Sequence, residues 1–140
     1  MLVMNRLVPE MIVSDLARSL QFYCGVLGFG IEYQRPEHLF AFLSFHGSQL
    51  MLEQDDLEES AWRVGPLEAP FGRGMNLSIK CPDAQALITR LEAAGHRLRK
   101  PLEECWYRSN DLQFGERNFL VPDPDGYLLR FAEDLGTKAV

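Results

Sequence analysis

The stretch D-P-D-G-Y-L-L-R-F-A-E, Asp123 to Glu133, decides the fold. Two acids, a proline and a glycine make a turn, and an apolar run follows in which Arg130 is the one basic residue. An apolar run behind such a turn reads as a strand. Seventy-nine positions earlier a shorter version occurs: His46-Gly47 is a turn between L-F-A-F-L-S-F and S-Q-L-M-L-E-Q, both readable as strands. Phe40 precedes Gly47 by seven residues, and Phe119 precedes Gly126 by seven.

The correspondence extends upstream. Arg6 to Val13 reads as a strand, and Asp15 can cap a helix whose stripe is Leu16, Leu20, Tyr23 and Leu27, with Gly28 as its stop. F-G-I-E-Y-Q-R follows as a strand. In the second half, Met75 to Cys81 reads as a strand and Asp83 caps a helix with Leu87, Ile88 and Leu91 on its stripe and Gly95 as its stop. H-R-L-R-K, F-G-E-R-N-F-L-V and Y-L-L-R-F-A-E then read as strands. The chain is thus an internal repeat of β-α-β-β-β. The fold class expected is α+β: two such modules, residues 6–54 and 75–134 of a single 1–140 domain, forming a cupped mixed sheet backed by helices. Residues 55–74 read as a linker or lid, first acidic and then rich in Gly and Pro, in which Trp62 and Phe71 either pack onto the body or cover a ligand.

Composition bounds the function. A chain of 140 residues can bury roughly 70% of its unfolded surface without staples. The net charge of -6 argues against nucleic acid and anionic membrane as partners. No stretch approaches the roughly 20 apolar residues of a transmembrane helix. Cys24, Cys81 and Cys105 form no CxxC pair, so a reducing compartment is expected, and with no secretory leader visible the expected location is the cytoplasm. Ser44, Ser48 and Ser60 lack a Gly-x-Ser-x-Gly context, and the cysteines lack an evident base partner.

With M-I-V-S-D-L-A-R-S-L-Q-F-Y-C-G-V-L-G-F-G-I-E-Y near the start and R-N-F-L-V-P-D-P-D-G-Y-L-L-R-F-A-E near the end, the chain resembles the vicinal oxygen chelate superfamily. That superfamily groups glyoxalase I, extradiol dioxygenases, fosfomycin-resistance enzymes and bleomycin-resistance proteins. The resemblance implies paired modules, a homodimer, and a cavity inside each cupped sheet. It also implies where a metal would sit: seven residues before each cap aspartate and four after each turn glycine, on His, Glu or Gln. In this sequence those positions are Val8, Asn76, Met51 and Arg130. None is a usual ligand for a divalent ion, and the permanent charge of Arg130 would repel one. His38, His46 and His96 stand at none of the four. Strand alternation supports the count, since Leu50, Leu52, Leu129 and Phe131 then turn toward the helices.

The expectation is therefore a protein without cofactor or metal, leaning away from catalysis and resembling the bleomycin-resistance branch. The resemblance implies that such a protein sequesters a cationic or planar antibiotic, or a similar small-molecule ligand, in a dimer cleft. The alternative is a metal-dependent lyase or dioxygenase with a displaced metal site, for which Glu10 and Glu53 are candidate donors. The ligand-binding residues expected are Glu10, Phe40, Met51, Glu53, Asn76, Trp106, Tyr107, Phe114 and Arg130. The aromatic side chains would stack on flat heterocycles, lying in a loop that the resemblance places along the cleft. Glu10 and Glu53 would meet a cationic group, and Met51 would pack adaptably. Arg130 would pair with Glu10 or Glu53, or bind an anionic group.

Overall fold

A computed structural model describes residues 1–57 and 61–140; Ser60 and part of the 55–74 linker lie outside them. The described chain forms two compact units. The first holds Met1–Phe71 with Pro124–Gly126, and the second Gly72–Asp123 with Tyr127–Val140.

In the first unit the order is β1 (Glu10–Val13), α1 (Leu16–Leu20), β2 (Gly30–Arg35), β3 (Phe40–Phe45) and β4 (Ser48–Gln54). They form a four-stranded sheet ordered β1-β4-β3-β2, with β1 and β4 parallel. In the second unit β5 (Asn76–Lys80), α2 (Ala84–Ala93), β6 (Lys100–Ser109), β7 (Leu112–Pro122) and β8 (Leu128–Ala139) form the sheet β5-β8-β7-β6, with β5 and β8 parallel. The α+β class and the doubled module are as the sequence predicts.

The repeat appears in the register itself. Glu10 pairs with Met51 and Ser78 with Arg130. Each pair joins the residue five before a cap aspartate to the residue four after a turn glycine. Both caps form: the Asp15 carboxylate accepts from the Arg18 amide at 3.2 Å and that of Asp83 from the Ala86 amide at 3.1 Å. Leu50, Leu52, Ile79, Leu129 and Phe131 are all buried, as are Leu87, Ile88 and Leu91 of α2. One face of each sheet is thus given to the core.

Two expectations are corrected. After Leu20 the first helix widens into a π-helical segment, Gln21–Val26, in which the Leu27 amide donates to the Phe22 carbonyl at 3.0 Å. The wider turn rotates the buried stripe, so that Phe22 and Tyr23 are both buried while Leu20 is half-buried. Phe22, Tyr23, Phe29 and Phe45 then form a chain of ring contacts, with centroids 4.7–5.3 Å apart. The second correction is β6. The strand expected at His96–Lys100 lies at Lys100–Ser109, and the expected aromatic loop is a β6–β7 hairpin. β6 is an edge strand of mostly exposed residues, so its sequence lacks the alternation that marks a half-buried strand. Among the described residues, no helix is long and apolar enough to cross a membrane.

The turn quoted at the outset packs within the first unit. The buried Asp125 carboxylate accepts from the Ser14 amide at 3.0 Å and from the Ser14 hydroxyl, and the Arg18 guanidinium donates to the Pro124 carbonyl at 2.8 Å. Gly126 has φ +99°, and a Cβ there would stand 2.6 Å from Pro70 Cα. Gly126→Ala combines a left-handed backbone with a collision. It is expected to destabilise the protein by more than about 1 kcal/mol, read as a lower urea midpoint at unchanged m.

Candidate functional site

Each sheet turns its second face away from its core, and the expected site residues divide between these two faces. On the first sheet the register aligns Glu10 with Met51, Ile12 and Phe40 with Glu53, and Phe42 with Met51. Tyr33 stands against Phe42, and Arg35 against Phe40. Glu10, Met51 and Glu53 are therefore neighbours in the sheet. Phe40 shares their face but is only 2% exposed: the Arg35 guanidinium lies 4.0 Å over its ring, while Tyr33 stacks on Phe42 at 5.2 Å. Arg35 and Tyr33 are the residues that sequence reading missed here. The alternation in G-I-E-Y-Q-R was the available signal, blurred by the bulge between Ile31 and Tyr33.

The two acids share one face. The Glu10 carboxyl is held above its usual range by burial first and by the negative charge of Glu53 second, with the Arg35 guanidinium opposing. Glu53 also lines a pocket of ≈ 60 Å³ with Ile12, Gln54, Asp55, Asp56 and Trp62. Trp62 is 69% exposed there, so the linker sets an aromatic ring beside three carboxylates.

On the second sheet, Asn76, Ser78 and Lys80 of β5 run beside Leu128 and Arg130 of β8. β7 contributes Glu116, Asn118 and Leu120, and β6 Cys105 and Tyr107. Glu116, which sequence reading did not single out, is the centre of this face. Its carboxylate accepts from Asn118 Nδ2 at 2.8 Å and lies 3.3 Å from Lys80 Nζ. Asn118 Nδ2 also donates to the Tyr107 hydroxyl at 3.1 Å. Arg130, expected to pair with Glu10 or Glu53, has Glu116 as its carboxylate neighbour, with Nη1 4.0 Å away. Tyr107 and Phe114 are cross-strand partners and close to half exposed.

Trp106 stands apart from these residues. Neighbours along a strand point to opposite faces, so Trp106 turns away from Tyr107. Its ring lies over Gly115, where a Cβ would come within 2.5 Å of it. Lys138 Nζ sits 4.0 Å from the ring, and Nε1 donates to Glu104 at 3.0 Å. A wider surface depression in the second unit, ≈ 460 Å³ and lined by Glu92, Gly95, His96, Arg97 and Leu98, lies at the end of α2, away from the open face.

The residues at the four family metal positions do not fit a divalent cation. Val8 has no donor atom, Met51 is a soft thioether, Asn76 is a neutral amide and Arg130 is cationic. Among the described residues no three His, Cys, Asp or Glu side chains group as a metal site. Nor are Cys24 and Cys81 activated: burial pushes Cys24 up, and burial, with Glu133 next, pushes Cys81 up to about 11.

A family model described as the Glyoxalase/Bleomycin resistance protein/Dioxygenase superfamily matches residues 4–131. The chain belongs to this superfamily. A bleomycin resistance protein of Geobacillus stearothermophilus is 25% identical to it over 134 residues, covering 91% of this chain and 96% of that protein. A lactoylglutathione lyase of Haemophilus influenzae is 28% identical over 131 residues, covering 91% and 90%. A crystal structure of a protein of unknown function from Agrobacterium tumefaciens superposes with a TM-score of 0.69 at 29% identity, covering 96% and 98%. As a member of the superfamily, the chain carries the doubled module described above.

The Glu10 shift has a sign that can be checked. Its folded pKa is raised above 4.5, so in the window just above 4.5 the folded chain keeps a proton that the unfolded chain releases. Stability from this group is full below that window and declines as pH rises through it. Glu10→Gln is expected to gain on the wild type across the window in urea midpoints and to keep the advantage at neutral pH. Glu53→Gln should bring the Glu10 titration, followed by carboxyl NMR, back toward 4.5.

Proposed function

We propose that this chain is a small-molecule binding protein of the bleomycin-resistance type, working without a metal and as a homodimer in the cytoplasm. The observation that carries the reading is the quartet Val8, Met51, Asn76 and Arg130, which supplies neither carboxylate nor imidazole where the resemblance puts ligands. The bleomycin resistance relative, aligned over nearly the whole of both chains, supports the same reading.

The first sheet suggests what the ligand offers. Glu10 and Glu53, with Asp55 and Asp56 beside Trp62, suit a cationic group attached to a flat ring: carboxylates meet the charge and the indole meets the ring. Met51 adapts its unbranched side chain to the contour beside them. Tyr107 and Phe114 are the corresponding flat faces on the second sheet. Titration of purified protein with bleomycin and other planar cationic antibiotics is expected to quench Trp62 fluorescence saturably. Glu53→Gln should weaken binding by about tenfold, the effect of one charge-assisted hydrogen bond. Absence of quenching together with absence of protection in expressing cells would remove the antibiotic reading.

The similarity to a lactoylglutathione lyase favours a second reading, a metal-dependent lyase or dioxygenase whose metal lies away from the usual positions. Elemental analysis of protein purified without chelators separates the two. The binding-protein reading expects no stoichiometric divalent ion. An ion bound one to one and lost in Glu10→Gln or Glu53→Gln would establish the lyase reading instead.

A further inference from the structure

Arg130 sits in the middle of the open face of the second sheet, one-third exposed, and its guanidinium makes no hydrogen bond among the described residues. A guanidinium has five N–H donors in a rigid fork. Among the described residues, the contact recorded for Arg130 is an ion pair to Glu116 at 4.0 Å, beyond hydrogen-bond reach. Its Nε is buried with no partner among those residues. Glu116 is already engaged, with one oxygen accepting from Asn118 and the other facing Lys80. Buried donors of this kind are nearly always satisfied, and a charged one left alone is costly. An arginine held for structure alone would be expected to close its fork on a carboxylate at hydrogen-bond distance.

The surroundings favour an anion from outside. Lys80 and Arg130 bring two positive charges to the one carboxylate beside them, Glu116. Two further acids that the register places on this face stand farther off: Asp134 lies four residues along β8 from Arg130, and Glu103, opposite Asn118, is paired with Lys100 at 3.1 Å. Ser78, the register partner of Arg130 on β5, and Asn76, two residues before it, are exposed and add a hydroxyl and an amide. Leu120 on β7 is the other cross-strand partner of Arg130, and Leu128 precedes it on β8 by two. Both leucines are half-buried, so an apolar floor lies next to the charged fork.

We propose that the open face of the second sheet is an oxyanion-binding site, in which Arg130, supported by Lys80, Ser78 and Asn76, receives the carboxylate or phosphate group of a small molecule whose apolar body rests on Leu120 and Leu128. The fork of Arg130 binds two oxygens of the ligand side by side, a geometry that lysine cannot reproduce. Glu116 is a positioning residue: it draws Lys80 toward the site without closing on Arg130. This deepens the reading above and rests on it in taking the open faces as ligand-binding.

The test uses the full chain in chloride-free buffer, following the Nε–Hε resonance of Arg130 by ¹⁵N NMR, assigned by its absence in Arg130→Gln. Sodium benzoate and sodium phosphate are titrated separately, so that a planar carboxylate and a tetrahedral oxyanion are distinguished. A saturable shift with at least one of them is expected. Binding followed on backbone amides of β5 and β8 should weaken about 10- to 100-fold in Arg130→Gln, the range of one hydrogen bond to a charged group. Lys80→Met, at a well-exposed position, should weaken it several-fold, and Arg130→Lys should not restore it. A shift that never saturates with either anion overturns the proposal. So does an affinity unchanged in Arg130→Gln, or, should that variant not fold, unchanged in Lys80→Met. Bleomycin quenching without oxyanion binding sinks this assignment alone. Oxyanion binding through Arg130 without bleomycin quenching upholds it and sinks the antibiotic reading.

Discussion

The parallel pairing of the first and last strands in each unit is the constraint on which the rest depends. Parallel neighbours cannot be joined by a tight turn. The chain between them must travel, and here it spends that length on one helix and two antiparallel strands. The helix covers one face of the sheet, so alternation assigns every second residue of the paired strands to the other face. Glu10 beside Met51 and Ser78 beside Arg130 follow directly. A slip of one residue in either ladder would exchange Leu52 or Phe131 for a charged neighbour in the core, which is why these registers are strongly specified.

One scaffold thus presents two chemically distinct surfaces. The first sheet carries Glu10 and Glu53, with the pKa of Glu10 raised by burial and then by the charge of Glu53, and with Arg35 lying over Phe40. The second carries Lys80 and Arg130 around a buried Glu116. Nothing in the module requires either character; both are side-chain choices at positions that face away from the core. This is the general separation of fold from function, seen within one chain.

Much of this was legible before any coordinates. The cap aspartates, the turn glycines and the alternation in S-Q-L-M-L-E-Q and Y-L-L-R-F-A-E reflect local chemistry, and all reappear in the fold. The failures have local causes too. β6 is an exposed edge strand whose partner, rather than its own pattern, makes it a strand. Once K-P-L-E-E-C-W-Y-R-S is known to be a strand, Trp106 and Tyr107 must face opposite ways. The π-helical turn put Phe22 into the core because packing against Tyr23 and the strands outweighed the regular helical period.

By itself the sequence determined the doubled α+β module, its caps and turns, the inward and outward sides of most strands, and the absence of ligand-type side chains at Val8, Met51, Asn76 and Arg130. These follow from hydrogen bonding and periodicity over a few residues. Only the tertiary structure decided which side chains on each open face meet: Arg35 on Phe40, Asn118 and Lys80 on Glu116, and Arg130 with its buried Nε unpartnered among the described residues. Such meetings join residues on different strands, often far apart along the chain. They depend on cross-strand register and on which acceptor a neighbour has already claimed, neither of which is written in any one stretch of sequence.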